Sequence, residues 1–220
     1  MNRGRDQQWV RSMASGISDQ TSPDSTKLGA WLFRHRTAIP IPIALALLIV
    51  PAGRPFSWTC CLAGVAITVG GEALRVAAVH QIGVISRTRS DRLGPLVTSG
   101  PFAFVRNPLY IGNVLIWMGF AVTAGLLWAA PIAGLLLVAE YHAIAKWEEE
   151  RLESRFGHEY ATYRSAVPRW LPRLSAWHRV TPVSRQEVAQ FSWRETLFSE
   201  RGTLVAIAAG YALLWLKARF

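Results

Sequence analysis

The sequence predicts an all-α integral membrane protein with about five transmembrane helices and a cytoplasmic amphipathic helix after the fourth. Hydrophobic residues make up 51% of the 220-residue chain and fall in long runs rather than in alternating patterns. Lys and Arg avoid those runs and collect between them, so the net charge of +10 indicates basic loops rather than nucleic-acid binding. An uncharged turn at 123–125 joins two of the runs, which must therefore form an antiparallel hairpin.

The first half of the chain begins with a polar segment, and residues 1–37 are expected to form a mobile cytoplasmic tail. The first apolar run, 38–52, is short for a bilayer core of about 30 Å. The second, 58–79, is long enough to span and carries Glu72 and Arg75 on one helical face. Two interpretations of this pair stay open, since buried charges need partners: an ion pair that locks the helix to a neighbour, or the lining of a ligand cavity.

The third run, 109–122, is preceded by Asn107 and Pro108, which favour a helix that begins at Pro108. Asn is a preferred N-capping residue, and Pro suits the first helical position because the N–H it lacks would be unpaired there. The free N–H groups of the first turn, the helix dipole and the adjacent Arg106 favour an anion. This stretch is therefore a candidate pocket for a carboxylate or phosphate. The alternative is a well-capped transmembrane helix with an Arg that reaches the membrane interface.

The fourth span, 126–147, returns to the side of the membrane on which the third begins. Glu148 and Glu149 follow it directly. Because the two spans are antiparallel, these carboxylates are expected near the helix start at Asn107. The hairpin therefore brings an anion-binding end and an acidic end to the same membrane face.

The remaining segments complete the predicted topology. Apolar residues at helical spacing over 152–167 predict the amphipathic surface helix. The predicted membrane core covers 38–172, followed by a peripheral polar segment, 173–201, and a C-terminal transmembrane helix, 202–220. With five spans, twenty Lys and Arg lie on the side of the N-terminus and three on the other side, which predicts a cytoplasmic N-terminus and a cytoplasmic site.

The helix start and the glutamates suit a zwitterionic ligand, whose carboxylate would lie near Asn107 and whose ammonium would lie near Glu148. The methionyl part of S-adenosylmethionine carries both groups. No metal is expected, since the five histidines are scattered without ligand spacing. No glycine-rich nucleotide-binding motif is present either. The alternative for residues 148–150 is a solvated acidic turn beside Arg151 and Arg155.

Two blocks, GPFAFVRNPLYIG and EEERLESRFGHEYATYRSAVPRWLP, are separated by one helical hairpin. Together they resemble the membrane methyltransferases of the isoprenylcysteine carboxyl methyltransferase and phospholipid N-methyltransferase group, over about 71–172. The resemblance implies S-adenosyl-L-methionine at the cytosolic ends of the central helices and a lipid-like acceptor that enters from the bilayer. By position, the resemblance implies these cofactor-binding residues: Gly94, Pro95, Leu96, Val97, Phe102, Asn107, Pro108, Leu109, Tyr110 and Glu148. The positive charge expected at the helix start adds Arg106 to this set.

Two positions depart from the carboxyl methyltransferases. Asn107 stands where they have His and is more like the phospholipid branch, whereas Ile144 stands where they have an acceptor-binding Arg, with Lys146 nearby. The predicted reaction is direct methyl transfer from S-adenosylmethionine to a nucleophile on an amphipathic or lipid-like acceptor. Glu148 and Glu149 are the candidate catalytic residues, because either is able to take the proton of an amine acceptor.

Two other functions stay open. Membrane reductases of the steroid reductase type have a similar C-terminal helix start and use NADPH, and a non-enzymatic membrane module is the second alternative. The expected partners are the acceptor and membrane lipids, with no nucleic acid. Glu140, Tyr141 and His142, near the cytoplasmic end of the fourth span, are further candidates for the acceptor side, with packing as their alternative role.

Overall fold

The computed structural model describes residues 23–52, 57–83, 96–177 and 192–219 of the chain. All regular structure in these ranges is helical, which confirms the predicted all-α class. In chain order the helices are α1 (Pro23–His35), α2 (Ile41–Ile49), α3 (Trp58–Ile82), a 3-10 helix (Gly100–Ala103), α4 (Pro108–Thr123), α5 (Ala129–Phe156), α6 (His158–Ala166) and α7 (Trp193–Lys217).

Helices α3 and α7, of 25 residues each, are long and apolar enough to cross a membrane, and α4 is a shorter apolar helix. Large apolar side chains on α3, α5 and α7 stay exposed instead of packing inside the protein. They include Leu62, Val69, Leu135, Leu136, Val205 and Trp215. An apolar surface of this kind is typical of contact with lipid. The fold therefore suits a membrane protein, while the number of five spans and their orientation stay predictions.

Helices α3 and α4 pack against each other through glycines. A Cβ atom at Gly71 would lie 2.7 Å from the carbonyl oxygen of Gly112, and one at Gly64 would lie 2.6 Å from the carbonyl oxygen of Gly119. A larger residue at these positions would collide with the neighbouring backbone, so glycine is what lets the two helices approach. This packing fixes the position of α4, whose first turn carries part of the candidate site.

The hairpin of α4 and α5 is present as predicted. Helix α4 begins at Pro108, the predicted first residue, and ends at Thr123. Gly125 in the turn has a φ of +74°, in the left-handed region that favours glycine. Helix α5 begins at Ala129, a few residues later than predicted. The first turn of α4 and the last turns of α5 therefore lie at the same end of the hairpin.

Helix α5 is longer than the predicted fourth span, 126–147, because it continues without a break to Phe156. Residues 148–156 are mostly good helix formers, so nothing stops the helix before Gly157. Gly157 has a φ of +51° and separates α5 from α6. The prediction of one separate amphipathic helix over 152–167 is thus wrong, since its first turn belongs to α5.

The N-terminal region also differs from the prediction. Part of the segment expected as a mobile tail forms α1, and the part before α1 lies outside the described residues. Helix α1 packs on α5: a Cβ atom at Gly29 would lie 2.6 Å from the Cβ of Trp147, and the ring centroid of Phe33 lies 4.9 Å from that of Trp147. The first predicted span, 38–52, contains α2, which is a helix of only nine residues. Because the segment is polar overall, the sequence did not indicate that a few small and aromatic residues pack α1 against α5.

Helix α7 begins earlier than predicted because Ser192 and Glu195 form a capping box at its N-terminus. Part of the predicted peripheral segment therefore belongs to α7, and another part lies outside the described residues. The added turns carry Glu200, whose Oε2 accepts a hydrogen bond from Arg75 at 2.8 Å. Arg75 Nε also lies 3.3 Å from Glu72 Oε2. The interpretation of Glu72 and Arg75 as an ion pair is confirmed, and the further contact between Arg75 and Glu200 ties α3 to α7.

Candidate functional site

The start of α4 and the end of α5 meet at Tyr110 and Glu148. The Tyr110 hydroxyl donates a hydrogen bond to Glu148 Oε1 at 2.9 Å. The Tyr110 ring stacks on the ring of Tyr141, with centroids 4.7 Å apart and an interplanar angle of 12°. We call Tyr110, Tyr141 and Glu148 the Glu148 cluster. The juxtaposition predicted from the hairpin is therefore observed.

The ion-pair network of α3 extends to this cluster through Asn113. Arg75 donates a hydrogen bond to Asn113 Oδ1, and Asn113 Nδ2 donates one to the Tyr141 hydroxyl at 3.3 Å. Tyr141 is buried, so its ring is held from both the hydroxyl end and the stacked face. The orientation of the Tyr110 ring thus depends on a chain of contacts that reaches α7.

Glu148 lies just beyond the apolar part of α5, which ends at Trp147. Burial raises the pKa of the Glu148 carboxyl to about 7, while the hydrogen bond from Tyr110 and the positive charge of Arg36 oppose that rise. By its exposed surface the residue as a whole is only partly buried. Near neutral pH this carboxyl is charged for part of the time, and a cation bound beside it would draw it fully into the charged form.

Glu149, the next residue, is enclosed by two arginines. Arg169 donates from Nε to Glu149 Oε1 at 2.9 Å and from Nη2 to Oε2 at 2.6 Å. Arg106 Nη2 lies 3.5 Å from Oε1. Successive residues of an α-helix are rotated by about 100°, so the two neighbouring glutamates face different surroundings. We call Glu149, Arg106 and Arg169 the Glu149 cluster.

Asn107 occupies the predicted N-cap position, but its side chain makes no capping hydrogen bond. Instead its Nδ2 donates to the carbonyl oxygen of Arg169 at 3.5 Å. The backbone N–H of Arg106 donates to the carbonyl oxygen of Pro168 at 2.9 Å. The prediction of side-chain capping is wrong because the segment after α6 lies against this turn and offers other partners.

Two other residues of the predicted cofactor set, Leu96 and Phe102, contact α6. Gly94 and Pro95 are outside the described residues. Leu96 packs against the aromatic cluster that contains Tyr163, and the Tyr163 hydroxyl donates to the carbonyl oxygen of Phe102 at 2.8 Å. Their described contacts are thus with α6 rather than with the Glu148 cluster. The remaining members are partly or fully buried: Val97, Pro108 and Leu109.

Two further candidates on α5, Glu140 and His142, differ in burial and in hydrogen bonding. Glu140 is buried, and none of the described residues donates a hydrogen bond to its carboxyl oxygens. His142 is exposed, and its Nδ1 accepts a hydrogen bond from Trp170 Nε1 at 3.3 Å. Within the described part of the chain, no group of three or more His, Cys, Asp or Glu is placed to hold a metal ion.

Sequence reasoning missed three residues that shape the site. Asn113 had a usable signal, since it is a lone amide in an apolar helix and such groups need partners. Arg169 had none, because it lies in the connection after α6, where no periodicity indicates which side chain it will meet. Arg36 was hidden in the segment interpreted as a tail.

The fold is thus a bundle of apolar helices with a polar, charged site at one end of a helical hairpin. A sequence profile of the phospholipid methyltransferase family matches residues 59–159, which include α4 and both glutamates. The cobalt-zinc-cadmium resistance protein CzcN of Cupriavidus metallidurans is 29% identical over 157 residues, which cover 70% of this chain and 71% of that protein. Human protein-S-isoprenylcysteine O-methyltransferase is 29% identical over 172 residues, which cover 71% of this chain and 58% of that protein.

A third relative, methanethiol S-methyltransferase 2 of Bradyrhizobium diazoefficiens, is 40% identical over 80 residues, which cover 36% of this chain and 29% of that protein. No solved structure gives a significant match to the chain. The matches confirm the resemblance to the isoprenylcysteine and phospholipid methyltransferase group, and the relatives named as methyltransferases support an enzyme of this class. The chain spans little more than half the length of the human isoprenylcysteine enzyme.

Proposed function

We propose that the protein transfers a methyl group from S-adenosylmethionine to an amphipathic or lipid-like acceptor at the cytoplasmic membrane face. The observation that carries this proposal is the contact between Tyr110 and Glu148 where α4 and α5 meet. The family profile spans both residues, and the names of two relatives supply the reaction class.

The Glu148 cluster fits the cationic, amino-acid end of this donor. A carboxylate that accepts one hydrogen bond keeps acceptor capacity for an ammonium group. The stacked rings of Tyr110 and Tyr141 lie beside it, and aromatic faces attract cations such as a sulfonium. When bound, S-adenosylmethionine supplies a methyl group that its positive sulfur has already activated. The protein's own work is therefore to hold two substrates in line and to exclude water.

The two glutamates are suited to different tasks. Glu149 already accepts hydrogen bonds from Arg169 and lies beside Arg106, so we assign it a positioning role at the start of α4. Glu148 accepts a hydrogen bond from Tyr110 and has no ion pair with a described arginine, so we assign it the ammonium group of the donor. Arg106 and Asn107, directly before α4, stay in the proposed cofactor set.

The acceptor is proposed to arrive from the lipid. The site lies at one end of helices whose outer surfaces are apolar and exposed. The names of the relatives include an oxygen and a sulfur acceptor, isoprenylcysteine and methanethiol. An amphipathic acceptor would keep its apolar part against this surface while its polar end reaches the Glu148 cluster.

A titration of the purified protein with S-adenosylmethionine and, separately, with NADPH tests the proposal. Saturable binding of S-adenosylmethionine and no binding of NADPH is the expected result. Tight binding of NADPH alone would favour a membrane reductase and overturn the proposal. If the protein bound neither ligand, S-adenosylmethionine would not be its methyl donor, and a non-enzymatic membrane module would be favoured.

A further inference from the structure

Arg36 lies near the part of α5 that carries Glu148, although it comes from a distant part of the sequence. It follows the last residue of α1, and α1 packs on α5 with the Phe33 and Trp147 ring centroids 4.9 Å apart. The Arg36 guanidinium carbon lies 4.0 Å from the Phe33 ring centroid. Because Trp147 directly precedes Glu148, these contacts bring Arg36 to the end of α5 that carries Glu148.

Arg36 differs from Arg106 and Arg169 in having no ion pair with any described residue. Arg106 and Arg169 both pair with Glu149. Arg36 is partly buried, and its charge lowers the pKa of Glu148 against the opposing effect of burial. Its guanidinium is therefore an available cation that interacts electrostatically with Glu148.

A cavity of about 190 Å³ opens beside the Arg36 side chain. Since a water molecule occupies about 30 Å³ in the liquid, the cavity has room for a carboxylate group. A guanidinium matches a carboxylate with two parallel hydrogen bonds, and a neighbouring hydroxyl is able to add a third. The lining residues are Phe33, Arg34, Arg36 and Thr37.

We propose that Arg36 binds the carboxylate of the methyl donor, so that the connection between α1 and α2 completes the amino-acid end of the cofactor site. This inference rests on the proposed function. The ammonium and carboxylate of an α-amino acid are attached to one carbon, so the groups that bind them must be neighbours. Glu148 is the anion of such a pair, and Arg36, which has no ion pair with a described residue, is the cation. Arg106, the cation expected from the sequence, is paired with Glu149.

Charge balance favours the same assignment. A donor carboxylate beside Glu148 would meet like-charge repulsion unless a cation lay close to both. Arg36 supplies that cation without breaking an existing ion pair, whereas Arg106 would have to leave Glu149. The site is consequently expected to prefer ligands that keep the carboxylate.

The test is a binding titration of the full-length protein with S-adenosylmethionine and with decarboxylated S-adenosylmethionine, which keeps the amine, sulfonium and adenosine. The unmodified protein is expected to bind the first on the order of 30-fold more tightly, as for loss of a charged hydrogen-bonded contact. Arg36→Gln is expected to remove that preference by weakening only the first ligand. Arg36→Lys, which keeps the charge, is expected to restore part of it. Arg201→Gln is the matched control, since Arg201 is exposed, lies over the Phe198 ring on α7 and does not line the cavity.

Several results would overturn the inference while the proposed function stands. One is an Arg36→Gln protein that keeps the preference, and another is an equal loss of affinity for both ligands. Loss of the preference in Arg106→Gln instead would assign the carboxylate to Arg106. If the unmodified protein binds neither ligand, the proposed function itself fails. Unchanged thermal unfolding of each variant shows that the comparison is between folded proteins.

Discussion

The Glu148 cluster and the Glu149 cluster begin at adjacent residues of α5 but differ in how fully their carboxylates are paired. Glu149 meets two guanidinium groups, from Arg169 and Arg106, at 2.6 to 3.5 Å. Glu148 meets one neutral phenol, from Tyr110, at 2.9 Å. The first carboxylate has little capacity left for a ligand, whereas the second keeps acceptor capacity for a cation, and burial raises its pKa.

This difference separates a structural role from a binding role within one acidic pair. The Glu149 cluster joins the end of α5 to the turn before α4 and to the segment after α6. The Glu148 cluster lies next to these joined segments, and its carboxylate accepts a hydrogen bond from Tyr110 but keeps acceptor capacity for a cation. Adjacent residues of the same type are thus expected to respond differently to mutation, and the following predictions test that contrast.

The largest effect is expected for Glu149→Ala. It leaves the buried parts of Arg106 and Arg169 without their counter-charge, which in buried ion pairs costs about 3–5 kcal/mol. We expect a clear loss of unfolding free energy, measured by thermal or denaturant unfolding in detergent. The matched control is Glu153→Ala: the Glu153–Arg164 pair has side chains 47% and 42% exposed, so about 0–1 kcal/mol is expected. Equal losses in the two variants would contradict a structural role for Glu149.

The next effect is expected for Glu148→Gln, which keeps the size of the side chain and an oxygen acceptor for Tyr110. Loss of the charge is expected to weaken binding of S-adenosylmethionine on the order of 100-fold. Unfolding should change little, in contrast to Glu149→Ala. Calorimetric titration measures the affinity. If this variant binds normally, or if it unfolds as easily as Glu149→Ala, the proposed division between the two residues is wrong.

A smaller effect is expected from pH. Burial raises the pKa of Glu148 to about 7, and only its charged form binds an ammonium, so protons compete with the ligand. Affinity for S-adenosylmethionine is therefore expected to rise with pH and to be about tenfold weaker at pH 6 than at pH 8. Titrations across this range measure the slope. The slope should be absent in Glu148→Gln, and an unchanged slope there would assign the titration to another group.

The smallest effect is expected for Tyr110→Phe. The variant keeps the ring stacked on Tyr141 but loses the hydrogen bond to Glu148, which is worth about 1 kcal/mol, or about fivefold in affinity. Because that hydrogen bond lowers the pKa of Glu148, its removal should also move the midpoint of the pH dependence upwards. A midpoint that stays in place would show that Tyr110 does not act on this carboxyl.

The contrast also explains how far the sequence predicts the site. The Asn-Pro helix start and the uncharged turn are local signals, and they suffice to bring Tyr110 and Glu148 to one end of a hairpin. The partners of Glu149 are not local. Arg169 reaches it from a connection without periodicity, so the sequence left open a solvated acidic turn beside Arg151 and Arg155.

The same reasoning applies to the rest of the fold. Glycines at 64, 71, 112 and 119 are visible in the sequence, but their pairing depends on which faces of α3 and α4 meet. Likewise, Arg36 belongs to a segment whose polar composition resembles a tail, and only the packing of Phe33 on Trp147 brings it to the site. Local helix signals predict the helices and the hairpin, whereas contacts between distant segments determine which charged side chains lie together in the site.

The most direct test of the account uses membranes that contain the protein and S-adenosylmethionine labelled on its methyl carbon. The account predicts that label enters the lipid-extractable fraction with the unmodified protein, is nearly absent with Glu148→Gln, and is unchanged with the control variant Arg201→Gln. Label that enters no membrane component, or that enters equally well with Glu148→Gln, would contradict methyl transfer at the meeting point of α4 and α5.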